Sequence, residues 1–211
     1  MSEALVLPAP EELFPVNPEI LAKVYDLSHN NFDVEMLTIE ERFMAPEWVT
    51  PVQAEKISVM RPVLRLCVSV MGCPLPVHVD IDTRVVEPGK TQRVDEWHTD
   101  LYLRSDGDKR ETAIIISNLL STQFAVGTVE SEHPLAIAYR DFHAREVQSY
   151  YRTLENLDTQ TRLALKNKEI TSVVVGEGMA VRIDDRHLHN GTINDRKIAV
   201  GKCFIRVAPG R

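Results

Sequence analysis

The stretch Trp97-His98-Thr99-Asp100 sets an imidazole and a carboxylate two residues apart. In an extended strand successive side chains point to opposite faces, so His98 and Asp100 would share one. Together they offer two of the three ligands of a facial two-histidine, one-carboxylate site, an arrangement that leaves positions open on a ferrous ion for substrates and oxygen. A third ligand has to come from elsewhere in the chain. The best supplier is GMAVRIDDRHLHNGTIN (178–194), where a strand-like run ends in His187-Leu188-His189. A rival pair, His78-Val79-Asp80, lies upstream. Asp82 continues its polar face while Val77, Val79 and Ile81 form the opposite one, so a half-buried, solvated strand accounts for that pair without a metal.

The order WHTDLYL, then GMAVRIDDRHLHNG, then DRKIAV resembles the Fe(II)/2-oxoglutarate-dependent oxygenases, and within them is most similar to the phytanoyl-CoA dioxygenase-like branch. The resemblance covers roughly residues 94–207. A distal segment of the form G-x-x-x-x-x-D-x-R-x-x-H falls on Gly178, Asp184, Arg186 and His189. It implies a double-stranded β-helix with His98, Asp100 and His189 as iron ligands. It also implies Arg196 as the partner of the far carboxylate of 2-oxoglutarate, a role that suits a guanidinium fork. Lys202 and Arg206, further along on the same alternate face, are the fallbacks. His187 shares the alternation of His189 and is a hydrogen-bond partner behind the ligands, a substrate contact, or the ligand itself if the strand bulges. Tyr102 shares the face of His98 and Asp100. Asp184 and Arg186 read as a structural ion pair, Trp97 as core, and His133 and His143 as surface residues.

The implied activity is hydroxylation of a small molecule or a side chain, with Fe(II), O2 and 2-oxoglutarate consumed to succinate and carbon dioxide. A carboxylate at position 100 favours hydroxylation over halogenation, since related halogenases carry a small residue there to admit chloride. Two other functions stay open: a cupin-like metal-dependent isomerase or lyase that needs no 2-oxoglutarate, and a non-catalytic barrel that binds a ligand or protein.

These residues need strands to carry them. Alternation and turn signals predict strands over 63–71, 77–82, 97–104, 112–119, 122–129, 171–176, 179–184 and 197–207. Turns are expected at Pro88-Gly89, Ser105-Asp106-Gly107-Asp108, Gly176-Glu177-Gly178 and Asn190-Gly191. The first sixty residues read as helical. Asn17-Pro18-Glu19 opens one helix and Thr50-Pro51-Val52-Gln53 a second, which should stop before Arg61-Pro62. A helical insert is expected around 141–167, broken at Asn156-Leu157-Asp158. The whole is mainly β with supporting helices: one domain over 1–211, a mostly helical part (1–62) packed on a jelly-roll, cupin-like barrel (63–211).

Composition fits that picture. The chain has 211 residues, 44% hydrophobic and 26% charged, with a net charge of −7. That balance argues against a broad nucleic-acid surface. No apolar run is long enough to span a bilayer and the amino terminus lacks a signal-peptide pattern, so a cytoplasmic protein is expected. Cys67, Cys73 and Cys203 form no C-x-x-C and suggest no disulfide framework. Oligomeric state is not legible.

Overall fold

The computed structural model describes residues 3–28, 32–39, 49–72, 76–91, 96–100, 105–106, 109–110, 112–144 and 149–209. The expected strand face from Leu101 to Arg104, with Tyr102, and Cys73 lie outside them.

Two antiparallel sheets face each other, each backed by helices. The larger has the order β2 (Glu11–Pro15), β10 (Met179–Ile183), β7 (Ala113–Ser117), β12 (Val200–Pro209), β4 (Val77–Val86), β3 (Phe32–Ile39). In the smaller, β8 (Thr122–Val129) pairs with β1 (Leu5–Leu7), β11 (His189–Gly191) and β9 (Thr171–Val175). A short ribbon joins β5 (Ser105–Asp106) to β6 (Lys109–Arg110).

Alternation along each strand builds three apolar layers. On the outer face of the larger sheet, Val77, Val79, Ile81, Ile114, Ile116, Cys203, Ile205 and Val207 pack against α1 (Pro18–Asp26) and α2 (Pro51–Met71). Gly201 admits α1 to this face: a Cβ there would lie 2.4 Å from the Tyr25 ring. On the outer face of the smaller sheet, Leu7, Ala125 and Val129 meet α3 (Pro134–Ala144) and α4 (Tyr150–Lys166) through Leu135, Phe142, Leu154 and Leu157. Between the sheets lie Ala113, Ile115, Phe124, Val175, Val181 and Ile183.

Several elements differ from expectation. Residues 63–71 are not a strand but the second half of α2, which runs 21 residues through Pro62. Ile57, Met60, Leu64 and Cys67 are fully buried at helical spacing, whereas Leu66 and Val70 of the expected strand face are exposed. Proline removes one backbone bond and costs about 3 kcal/mol in a helix interior. Here Pro62 and Ser58, whose carbonyl loses its donor, are both on the solvent side, so water can serve that group while the apolar face stays continuous. The capping box of Thr50 and Gln53 forms as expected, and the helix ends on Gly72 in the left-handed region at φ 62°.

The first sixty residues are not mostly helical. They contribute β1, β2 and β3 around α1, and these strands complete the two sheets. The insert starts earlier, at Pro134, and α4 continues unbroken through Asn156-Leu157-Asp158, because Leu154, Leu157, Thr161 and Ala164 form one buried face. Asn190-Gly191 is no turn; both residues pair in β11 with Gln123 and Thr122. Cys67 and Cys203 are buried and in no disulfide. No described helix is long and apolar enough to cross a membrane.

The polar face of β4 is the most consequential difference. Opposed residues in an antiparallel pair share a face, and β12 opposes Lys202 to Arg84, Phe204 to Asp82, Arg206 to Asp80 and Ala208 to His78. The odd-numbered residues of both strands face the helices, so this polar ladder faces the space between the sheets rather than solvent. Asp82 is 3% exposed and Lys202 1%.

Candidate metal centre

His98 and His189 are held opposite one another by a reciprocal bridge: His98 N–H donates to His189 C=O at 3.0 Å, and His189 N–H to His98 C=O at 2.9 Å. Beyond it His189 opposes Phe124 of β8, the aromatic residue between the sheets. This pairing brings His98, Asp100 and His189 together, with one donor atom from each lying within 4.8 Å of the other two. Donors about 2.1 Å from a metal on adjacent octahedral positions stand about 3 Å apart, so a bound cation would draw the three together.

Local hydrogen bonds aim both rings alike. His98 Nδ1 lies 2.9 Å from the Glu96 carbonyl, and His189 Nδ1 2.9 Å from the His187 carbonyl. A carbonyl only accepts, so each Nδ1 carries a proton, and in the neutral ring Nε2 is then the atom left to bind a metal. The rings stand 4.5 Å apart between centroids. Burial, reinforced by neighbouring His98, pushes the His189 pKa down to about 4, which keeps that imidazole neutral. Burial works against charge on Asp100, but its basic neighbours, Arg206 among them, outweigh it and hold the carboxyl below its ordinary range. A neutral imidazole at His189 and an ionised carboxylate at Asp100 suit a divalent cation.

Asp100 Oδ2 is buried and ion-paired with Arg206 Nη1 at 3.2 Å. The same guanidinium is anchored by Asp80, whose Oδ2 accepts from Nε at 2.7 Å and from Nη2. The rival His-x-Asp pair thus splits: Asp80 anchors a guanidinium beside the donor set, and His78 Nδ1 meets the Thr38 hydroxyl at 3.2 Å. A buried polar strand and a solvated one share the same alternation, so only the second sheet layer distinguishes them.

The three candidate cosubstrate cations separate clearly. Arg196 lies in a bend before β12, its side chain 41% exposed and paired with Glu177 at 2.9 Å. Arg206 is engaged by Asp80 and faces Asp100. Lys202 is enclosed, and among the described residues it makes no hydrogen bond or ion pair. Burial drives its pKa down to about 7, with Asp82 and Glu177 too distant to restore it and Arg84 opposing.

His187 is not among the converging donors. Its Nδ1 lies 2.8 Å from Asp184 Oδ1 and 2.9 Å from the Asp184 N–H, and its ring stands edge-on to Phe124. Asp184 also takes the Arg186 guanidinium on Oδ2. Burial opposes its charge, yet His187 and Arg186 hold the carboxyl far below the usual range, so this cluster is a rigid turn that sets the His187 carbonyl behind His189. Trp97 is core, as expected, at 2% exposure. In place of the expected strand, described residues 96–100 carry only an isolated bridge at His98. Thr99, between the two upstream donors, bonds His143 of α3 at 3.1 Å, which ties this segment to the outer helix. Two clefts, of about 620 and 320 Å³, lie beside Trp97 and Lys168 and beside Asp184 and Arg186, and neither is lined by the three donors.

No protein-family model matches the chain, and no curated protein matches it. Among solved structures it is similar to the non-heme alpha ketoglutarate dependent carbocyclase SnoK from nogalamycin biosynthesis, with 12% identity over 97% of this chain and 81% of that one, at a TM-score of 0.49. It is also similar to AviO1 from Streptomyces viridochromogenes Tue57, with 14% identity over 95% and 88% of the two chains and a TM-score of 0.46. The Kdo hydroxylase KdoO, a non-heme Fe(II) alphaketoglutarate dependent dioxygenase, shares 10% identity over 93% and 76%, at a TM-score of 0.46.

Proposed function

We propose that the chain is a non-haem Fe(II)- and 2-oxoglutarate-dependent oxygenase on a double-stranded β-helix core, hydroxylating a small molecule or a side chain. The observation that carries this reading is the convergence of His98, Asp100 and His189, with both Nδ1 atoms turned to backbone carbonyls and the carboxylate ionised. Two imidazoles and one carboxylate leave half of an octahedral ion open, as a reaction that must also bind a keto acid and oxygen requires. Bound Fe(II) would supply the oxidising chemistry, spending O2 and 2-oxoglutarate and releasing succinate and carbon dioxide.

The rest falls to the chain. Lys202 is the residue best suited to the far carboxylate of 2-oxoglutarate. It faces the inter-sheet space four residues before Arg206, about 13 Å along the strand, and among the described residues it lacks the partner that its buried ammonium demands. An arriving carboxylate restores that charge balance, which makes the dianion a better guest than a neutral keto compound. Phe124 packs 5.7 Å from the His189 ring between centroids, and together with Ile115, Val181 and Ile183 it keeps the space behind the donors dry. Exclusion of water confines oxidation to the bound substrate.

Aerobic incubation with Fe(II), ascorbate and 2-oxoglutarate, with and without candidate substrates, should yield succinate. Lys202→Met should suppress it far more than Arg196→Ala. No succinate under any condition, together with no thermal shift from Mn(II) plus N-oxalylglycine, would overturn the proposal.

A further inference from the structure

Asp80, Arg206 and Asp100 form a chain of alternating charge that crosses from β4 through β12 to the segment that carries His98. Asp80 and Arg206 are opposed in register and share the inward face, and their side chains are only 21% and 17% exposed. Asp80 Oδ2 takes both Nε and Nη2 of the guanidinium. That leaves Nη1, fixed by the plane of the fork, 3.2 Å from Oδ2 of Asp100. A carboxylate can bind a metal through one oxygen or chelate it through both, and the choice decides how many positions remain open. With Nη1 against Oδ2, chelation would require the Asp100 carboxylate to break that part-buried ion pair.

We infer that Arg206, anchored by Asp80, is a positioning residue that holds Asp100 to a single metal bond and so keeps a third position free at the centre. The inference rests on the metal-centre reading above. It also gives the upstream His-x-Asp pair work to do: Asp80 binds no metal but aims the group that disciplines the carboxylate that does. Neither Arg206 nor Asp80 needs to touch substrate for this role.

The test uses the full chain, freed of metal and loaded with Mn(II) alone, with coordinated waters counted from water-proton relaxation. Three protein donors on a six-coordinate ion leave about three waters. Wild type should show about three, and Arg206→Gln about two, because the released Oδ2 swings onto the ion. Asp80→Asn, remote from the ion, should shift the count in the same direction. The Asp80→Asn/Arg206→Gln double variant should match Arg206→Gln rather than exceed it. That double variant removes both charges together, so it keeps its fold where Arg206→Gln alone strands Asp80. About three waters in the folded double variant would overturn the inference, as would about two in wild type. A wild type that relaxes water no better than His98→Ala/His189→Ala would overturn the metal centre itself, and the inference with it.

Discussion

His98-x-Asp100 and His78-x-Asp80 are the same pattern, both on extended chain, and they end in different chemistry. The downstream pair meets a second imidazole across a reciprocal backbone bridge. The upstream pair meets a guanidinium and a hydroxyl. A His-x-Asp motif therefore offers two donors to one face, and the opposing strand decides whether they meet a cation in solution or one already in the chain. The same distinction runs along β12, where Arg206 is satisfied by Asp80 and Lys202 is satisfied by nothing described.

The contrast can be broken most forcefully at the bridge. His189→Ala should abolish Mn(II) or Co(II) binding in a calorimetric titration and remove succinate formation, and retained binding would place the centre elsewhere. Next in size is Lys202→Met, which should raise the KM for 2-oxoglutarate by about tenfold or more, the cost of one charge-assisted contact, and leave metal affinity unchanged. Third, Asp80→Ala should destabilise the fold by about 3 kcal/mol in urea melts, because it leaves Arg206 without its anchor, whereas Asp80→Asn should cost less.

A pH series sharpens the role of Lys202. Its folded pKa, about 7, lies below the ordinary 10.5, so the ammonium is complete below pH 7 and is lost as pH rises through it. Affinity for 2-oxoglutarate should fall between pH 6 and 8.5, and the Lys202→Met variant should show no such slope. Without cosubstrate, stability should rise from pH 7 toward 10.5, since there the unfolded chain holds a proton that the folded chain has released. The groups facing Lys202 are Asp82 and Arg84 of β4 and Glu177. The smallest effect is expected at His78→Ala, which should change metal affinity by less than about twofold and melting only slightly, as befits a half-buried side chain bonded to Thr38.

Alternation made most of the strands legible. The runs at 112–119, 122–129, 171–176 and 179–184 each correspond to a strand within a few residues, because turn residues bracket each one. Alternation misled at 63–71, where Leu64, Leu66, Val68 and Val70 mimic a strand while the helical spacing of Ile57, Met60, Leu64 and Cys67 continues beneath it. A proline read as a stop concealed that continuity. At the centre, the types and spacing of His98, Asp100 and His189 drew attention to residues that the fold brings together. The anchoring place of Asp80, and the burial that sets Lys202 apart from Arg196, were not legible, because period two says which residues share a face and not which face is covered by a second sheet.

The reciprocal bridge between His98 and His189 also bears on how the molecule is assembled. The two residues are 91 positions apart (189 minus 98), so their meeting closes a long loop. Closing a loop of that length costs about 4 kcal/mol of chain entropy beyond a constant term. The donor set therefore cannot exist in any early, locally ordered intermediate; it forms only when distant halves of the chain have docked. A cation bound there acts as a latch on that closure, slowing the escape from the native state more than it speeds arrival.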